Sequence, residues 1–563
     1  MRVLILGGYG TFGGRLAVLL ADSPAITLII AGRALDKARA FAGSLPAGAE
    51  KLALAFDRDG DVLAQLHAIA PDLVVDASGP FQAYGAQPYR VVEAALELGI
   101  DYLDLADGSE FVTGIKQFDE AARQRNVFIL AGVSSFPVLT AAVVRHLAKD
   151  FRQLHSITGG IAPSPYAGVG LNVIRAIASY AGQPVRVIRD GGPATGYAIT
   201  EIRRYTICPP GKLPLENIRF SLVDVPDLRA LPELWPNLQS IWMGAGPVPE
   251  ILHRAMNILA WMVRAKLLPS LSPFAGIFHR AINLLRWGPH RGGMFVAVEG
   301  LDADGSRCEK SWHLLAEGDD GPLIPSMAAE AIIRHCLSGR RPPSGARAAT
   351  TDLELADYAA LFARRSILTG SREVTARTAD WPLYRRILGD AWEMLPVPLR
   401  EMHDLQRDLT VEGVAAIDRG ANPLVRFIAS LFRFPAAGTD VPVRVDFKRA
   451  DGIEVWRRSF SGRGFLSTQA AGRGRWDKLI VERFGPFAFG LAVVLEADRL
   501  DLVLGRWSCL GLPLPLSWAP QGRAYEAGEG GRFNFHVEIG HPWTGLIVRY
   551  RGWLTKRLDE SQQ

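Results

Sequence analysis

Along the first 130 residues, short runs of β-branched and leucine residues alternate with stretches whose apolar positions follow a helical spacing. MRVLILGG reads as a short buried strand, and GRLAVLLADS places Leu16, Leu19 and Leu20 on one side of a helix. ITLIIAGR, KLALAFD, PDLVVDASGP, IDYLDL and NVFILAG predict five more strands. Helices are expected from Ala34 to about Gly43, and over about 85–98 and 110–125. The alternation predicts an α/β domain with a parallel, doubly wound sheet of the Rossmann kind over 1–135.

The pattern then changes. HSITGGIAP reads as a strand and GLNVIRAIASYAG as a helix. MFVAVEGLDADGSRCEKSWHLLAEG reads as a β-hairpin turning at DADG. PSMAAEAIIRHCLSG is a helix with Pro325 near its start and Gly339 after its end. Residues 136–370 are therefore expected to form an α+β substrate or dimerisation domain with a mostly antiparallel sheet. A new unit opens near 375 with WPLYRRILGDAWEMLPVPLREMHDL. VPVRVDF, IEVWRRSF, FLSTQAAG, KLIVERF, FAFGLAVVLEAD, RLDLVLGRWSCLG, GRFNFHVEIG and TGLIVRYRGWL follow, separated by glycine-rich turns. They predict a mostly antiparallel β domain over 375–558, one curved sheet close to closure.

One repeat stands between these parts. HRAMNILAW (253–261) returns as HRAINLLRW (279–287), and from Arg254 to Arg291 there is Lys and Arg but no Asp or Glu. On a helix, Leu252, Met256, Leu259 and Val263 form an apolar stripe opposite Arg254, Asn257 and Arg264. The hairpin 250–291 has three readings. It packs on the substrate domain or across a homodimer interface, it makes peripheral membrane contact with its arginines on anionic head groups, or it lids an apolar substrate pocket.

Composition narrows the class. At 563 residues the chain needs several cores, and 48% hydrophobic with 21% charged residues describes a globular protein. The formal charge of +5 is mild for this length, and no nucleic-acid partner is expected. Cys208, Cys308, Cys336 and Cys509 lie far apart without paired spacing, which points to a reducing compartment and no zinc site. His403, His536 and His541 make no metal set by spacing, and each reads as a hydrogen-bonding residue. No signal peptide and no apolar run of about 18 residues is apparent. A cytoplasmic protein is expected, with the inner face of a membrane as the alternative site.

The opening stretch carries the first chemistry. GGYGTFGG has the spacing Gly7-x-x-Gly10-x-x-Gly13. Gly7 suits the tight turn, Gly10 the approach of backbone to a pyrophosphate, and Gly13 close packing of helix on strand. The helix beginning at Thr11 and Phe12 offers unpaired amides to phosphate. At the end of the second strand, where an NAD site places an acidic residue, stands Arg33, with Lys37 one turn on. A guanidinium there fits a ribose 2′-phosphate and favours NADP over NAD. The other reading of Arg33 is a solvated helix-start residue. Asp57 ends the third strand and faces the adenine edge in this scheme. Ser78, Gly79 and Pro80 lie where backbone passes the nicotinamide.

With these residues placed, the chain resembles the saccharopine dehydrogenase-like oxidoreductases. GGYGTFGG, AGR, VVDASGPFQAYG, VVEAALELGIDYLDLADGSEF and GVSSFPVLTAAVVRHL carry the resemblance, over about residues 1–350. It implies an NADP-binding domain followed by an α+β domain that closes a substrate cleft. Short-chain dehydrogenases use Tyr-x-x-x-Lys, and no tyrosine here has a lysine four residues later. From about 380 to 556 the chain resembles a domain of unknown function often fused behind such proteins. The matching residues are His403, Trp456, Arg458, Phe460, Leu514-Pro515 and Tyr550-x-Gly552-Trp553-Leu554.

Two functions are carried forward. One is an NADP(H)-dependent oxidoreductase acting on a C=C, C=O or C=N bond of a small or hydrophobic substrate. The other is a non-catalytic, NADP(H)-responsive binding or scaffold protein whose β-rich tail holds a ligand or partner. Polar groups expected near the nicotinamide are Ser78, Tyr102, Asp104, Asp107 and Ser134, with no single catalytic assignment among them. In WRRSF, Trp456 and Arg458 either line a ligand pocket or form one core aromatic beside one solvated charge.

Overall fold

A parallel sheet covered by helices on both faces buries every strand position, which suits unbroken β-branched and leucine runs. In the computed structural model, which describes residues 1–556, six such strands occur. They are β1 (Arg2–Leu6), β2 (Thr27–Gly32), β3 (Glu50–Ala55), β4 (Leu73–Asp76), β5 (Asp101–Asp104) and β6 (Phe128–Ala131). All pair in parallel, in the order β6-β5-β4-β1-β2-β3. Val3, Leu4, Ile5, Leu28, Ile29 and Ile30 are fully buried. A seventh strand, Gly345–Ala348, pairs in parallel with β6. The order reverses between β1 and β4, and there a doubly wound sheet opens a ligand crevice beyond its carboxyl edge.

The helices differ from expectation in detail. The one expected over 85–98 begins at Arg90, after Pro88, whose missing N–H and blocked neighbour keep the helix from starting earlier. The one expected over 110–125 is split into Ser109–Gly114, a tighter turn over Ile115–Phe118, and Asp119–Gln124.

A second, mixed sheet of seven strands lies beyond the first. At its centre Phe151–Ala162 runs parallel to Ser240–Ala245 and antiparallel to Arg291–Asp302, which forms the expected hairpin with Arg307–Glu317. The repeat lies on two helices, Glu250–Arg264 and Ala275–Leu284. Their orientation corrects the simple stripe. His253 and Asn257 are buried, while Ile251, Ile258 and Trp261 are exposed. The reason is polar. The Asn257 amide donates to the Ile199 carbonyl at 2.7 Å and to Ser221 Oγ at 2.8 Å, and accepts from Arg219 at 2.9 Å. His253 Nε2 lies 2.8 Å from the same Ser221 hydroxyl. The exposed apolar side continues through Leu267, Ile277, Leu284 and Trp287. Among the described residues, no helix is long and apolar enough to cross a membrane.

The chain divides into two compact units. One is Met1–Arg203 with Arg219–Thr369, and the other is Arg204–Ile218 with the chain from Gly370 onward. Residues 136–370 are thus not a separate body. Gly345–Ala348 completes the first sheet, and 204–218 joins the carboxyl-terminal unit. Arg372 shows why. It is buried, and its guanidinium donates to the Cys208 carbonyl at 2.8 Å and the Ile387 carbonyl at 2.7 Å.

In the second unit, the helices Leu383–Leu388 and Val397–His403 precede ten antiparallel strands that close into a barrel. Closure requires Leu409–Arg419 to pair with Gly545–Lys556, and Arg499–Cys509 to pair with both Phe487–Glu496 and Ala524–Glu529. A short strand, Leu512–Leu514, is appended. The last two residues of the span expected over 375–558 lie outside the described residues. Trp456 and Arg458 both turn inward, so Arg458 is not a solvated edge charge. It donates to Ser467 Oγ at 2.7 Å and lies 3.4 Å from Glu482. His403 is buried and bonded to Glu526 at 2.6 Å.

Candidate nucleotide and catalytic site

The turn after β1 is shaped by two glycines. Gly7 has φ of +70°, and a Cβ there would stand 2.8 Å from the Ala77 carbonyl, in the loop after β4. A Cβ on Gly13 would stand 2.5 Å from the Gly7 carbonyl. The two loops at the sheet's reversal therefore touch. Gly10 is the N-cap of the helix Thr11–Leu20, and its amide donates to the Gly7 carbonyl at 2.8 Å. The first bond of the helix runs from the Gly14 amide to the Gly10 carbonyl at 2.9 Å. The amides of Thr11, Phe12 and Gly13 therefore have no helical partner and carry the positive end of the helix dipole. Gly10's own amide is spent inside the turn, a refinement of its expected role.

Beside this turn, the Tyr9 hydroxyl accepts from the Ala34 amide at 3.0 Å, and its ring covers Gly32. Arg33 follows, exposed, with no hydrogen bond or ion pair to a described residue. Lys37 is also exposed. Asp57 lies in the loop after β3, where its carboxylate accepts from the Asp59 amide at 3.0 Å. The three amides, the glycine turn without room for side chains and the unpaired guanidinium fit a dinucleotide, with the ribose phosphate end at Arg33.

The loop after β4 is tied to a buried carboxylate. Ser78 donates to Asp76 Oδ1 from its amide at 3.0 Å and its hydroxyl at 2.5 Å, and lies 2.8 Å from the Tyr84 hydroxyl. The Arg58 guanidinium sits 3.3 Å above the Tyr84 ring. Gly79 offers its carbonyl to the Asn172 amide at 2.9 Å, and Pro80 leads into the turn Phe81–Ala83. Arg15 donates to the Ala167 carbonyl at 2.7 Å, and Gly170 packs on Thr11. The segment 167–172 thus spans from the glycine turn to the loop after β4.

The polar residues expected near the nicotinamide separate into two groups. Tyr102 and Asp104 are buried in the sheet. Asp104 Oδ1 accepts from the amides of Ala106 at 3.0 Å and Gly132 at 2.7 Å, fixing the loops after β5 and β6. Burial is the main cause that pushes its carboxyl up to about 7. Burial likewise raises Tyr102 far above the ordinary phenol range. The Ser134 amide donates to the Gly132 carbonyl at 2.7 Å and shapes the loop after β6.

Asp107 differs. Solvent reaches it, yet protein surrounds it on most sides, as on the wall of a cleft; that surrounding raises its carboxyl. Gln82 donates to it at 3.0 Å. Asp224, which accepts from Ser109 at 2.7 Å, and the phenol of Tyr180 lie within its electrostatic reach. Tyr180 is raised chiefly by burial and then by these two carboxylates. Gln82 and Tyr84 lie within VVDASGPFQAYG but were given no role there, and Asn172, Tyr180 and Asp224 escaped the sequence reading. Asn172 and Tyr180 share the helix Leu171–Tyr180, and no motif joins it to Asp224.

The fold and this crevice are those of a dinucleotide-binding α/β domain. Residues 3–130 match the saccharopine dehydrogenase NADP binding domain, and residues 395–554 match a domain of unknown function, DUF4166. The chain therefore carries a saccharopine dehydrogenase-type nucleotide domain at its amino-terminal end and a DUF4166 domain at its carboxyl-terminal end. It is an oxidoreductase of the dehydrogenase type. Among solved structures, the chain is similar to apo saccharopine dehydrogenase (L-Glu forming) from Saccharomyces cerevisiae, at 14% identity. That match covers 66% of this chain and 100% of the other, with a TM-score of 0.46. GenD2 from gentamicin A biosynthesis, in complex with NAD, matches at 12% identity over 61% of this chain and 88% of its own, TM-score 0.31. The WlbA dehydrogenase from Thermus thermophilus, in complex with NAD and alpha-ketoglutarate, matches at 12% over 64% and 94%, TM-score 0.29. No curated protein matches.

Proposed function

We propose that the chain is an NADP(H)-dependent oxidoreductase that transfers hydride to or from a C=C, C=O or C=N bond of a hydrophobic substrate. The observation that carries the cofactor choice is Arg33, an unpaired guanidinium at the end of β2, where an NAD site places a carboxylate. Thr11, Phe12 and Gly13 hold the pyrophosphate by their amides. Gly7 and Gly10 keep the turn free of side chains, and Asp57 borders the adenine side. Ser78, Gly79 and Pro80 border the nicotinamide side. The bound nicotinamide supplies the hydride.

Asp107 moves the proton. Its carboxyl is raised by its surroundings, and it alone of the expected acids is open to solvent. Tyr180 stays neutral and donates a hydrogen bond to the substrate heteroatom. The hydrophobic substrate is inferred from the exposed Ile251, Ile258, Trp261, Ile277 and Leu284 on the two helices and Trp287 just past the second, in a stretch with no acidic residue after Glu250. That surface meets an anionic membrane, from which the substrate is drawn.

The test incubates the protein with NADPH and fractionated lipid and metabolite extracts, following absorbance of the reduced nicotinamide. Oxidation by wild type, lost in Asp107→Asn with NADPH affinity unchanged, is expected. NADPH binding without oxidation in any fraction would leave a nucleotide-responsive binding protein instead.

A further inference from the structure

The barrel of the carboxyl-terminal unit encloses a cavity of about 990 Å³, at the upper end of the range for small-molecule sites. Ten strands leave more room than their own side chains fill. The walls are mostly aromatic and aliphatic: Phe447, Trp456, Phe460, Phe465, Phe484 and Phe535 are among them. Such a wall excludes a hydrated ion and favours an apolar guest.

The charged groups inside the barrel are paired, while Arg523 reaches the wall from a solvent-exposed position. Arg458 is held by Ser467 and Glu482, and Ser467 donates to Glu482 at 2.7 Å. Arg499 pairs with Asp501 at 2.8 Å, and Glu526 with His403 at 2.6 Å. The interior therefore asks for no counter-ion. One polar group does lack a partner. Gln469 lines the cavity, is 1% exposed, and its Oε1 has no hydrogen bond. A buried amide of this kind is costly unless a ligand or water satisfies it. A hydroxyl both donates and accepts, so it satisfies the amide in either orientation.

One end of the barrel is apolar outside as well. The helix Pro423–Leu431 exposes Leu424, Phe427 and Leu431, while Ile428 and Phe432 line the cavity. Phe432 packs on Phe484 and Phe487, with ring centroids 5.5 and 5.9 Å away. The Leu510 amide donates to the Pro486 carbonyl at 2.8 Å, and Leu510, Leu512, Leu516 and Trp518 are exposed. An exposed apolar rim around a cavity mouth marks an entry path for apolar material.

We propose that the barrel binds one uncharged, elongated apolar molecule bearing a hydroxyl group, its chain among the inner aromatic rings and its hydroxyl on the Gln469 amide. This site is separate from the nucleotide crevice and does not depend on the function assigned there.

The test uses the full chain and the neutral dye Nile red. Saturable binding at one dye per chain, with blue-shifted emission, is expected. 1-Dodecanol should displace the dye at concentrations at least about tenfold below dodecanoate. Val537→Trp and Leu491→Trp place an indole in the cavity from half-buried wall positions. Each should weaken dye binding at least about tenfold while thermal unfolding and NADPH affinity stay as in wild type. Gln469→Leu should raise the dodecanol concentration needed and leave Nile red affinity near wild type. Three results would each overturn the proposal. They are dye affinity unchanged in both folded tryptophan variants, dodecanoate displacing better than dodecanol, and absence of saturable binding.

Discussion

Asp76 and Asp104 are register partners at the carboxyl ends of β4 and β5, and both carboxyls are buried. Burial raises both, and the Asp76 carboxylate further disfavours ionisation of Asp104. Asp104 titrates near 7 in the folded chain, against an ordinary value of 3.8. The folded state holds this proton more tightly, so the stability it contributes is complete below about pH 4 and lost as pH rises through 7. Asp104→Asn keeps an Oδ1 for the Ala106 and Gly132 amides and removes the titration. Its stability relative to wild type should therefore rise between pH 4 and 7, by up to about 1.4 kcal/mol per pH unit. Urea unfolding across that range measures the slope, and parallel curves for the two proteins would refute it.

The proposed preference for NADP over NAD rests on Arg33. A charge-assisted hydrogen bond contributes about 1.5–3 kcal/mol, so Arg33→Asp should lower the NADPH-to-NADH affinity ratio by at least about tenfold. Calorimetry with both nucleotides gives the ratio directly.

The glycine turn predicts a graded series. A Cβ on Gly10 stands 3.0 Å from the Gly7 carbonyl and one on Gly13 stands 2.5 Å from it, both against backbone that cannot rotate away. Gly13→Ala should destabilise the nucleotide unit by about 1–3 kcal/mol, as overpacking does. Gly10→Val should abolish heat on addition of either nucleotide, because its branched side chain fills the pyrophosphate path. Denaturant midpoints and calorimetry separate the two effects.

The helix pair near residue 260 is tested at its outer face. Removing 250–291 would also remove the Asn257 and His253 bonds, so loss of binding in that deletion would be ambiguous. Ile258→Glu, Trp261→Glu and Ile277→Glu change only exposed positions. The triple variant should cosediment with anionic vesicles several-fold less than wild type and unfold at the same temperature. Equal cosedimentation excludes membrane contact there, and a change from dimer to monomer mass would assign the face to self-association.

Much of the candidate nucleotide site is legible in the sequence because its parts are local. GGYGTFGG and AGR each carry their geometry within one turn, and Arg33 follows its strand directly. The cleft around Asp107 was not readable. Tyr180 and Asp224 reach it from elements far along the chain, and neither sits in a motif. In the barrel, alternating aromatic and polar residues marked most strands. Leu409–Arg419 and Ala524–Glu529 escaped, although the barrel cannot close without them. In the first, Gly413, Ala415 and Ala416 blur the alternation, and Gly413 is small because the Trp553 carbonyl passes where a Cβ would be. The insertion 204–218 gave no sign of its destination, since its ties come from far along the chain: Arg372 to the Cys208 carbonyl, the Leu495 amide to the Gly211 carbonyl and Arg506 to Glu216.

The seventh strand of the first sheet has a consequence for synthesis. Gly345–Ala348 is translated more than 200 residues after β6, the strand whose edge it covers. A nascent chain that has emerged only through Ala131 carries the whole glycine turn and Arg33 but leaves an uncovered row of amides and carbonyls. Such an intermediate invites pairing with other strands, including those of neighbouring chains on the same message. The nucleotide domain is therefore a product of late assembly, and a fragment cut at its apparent end would be born with an adhesive border.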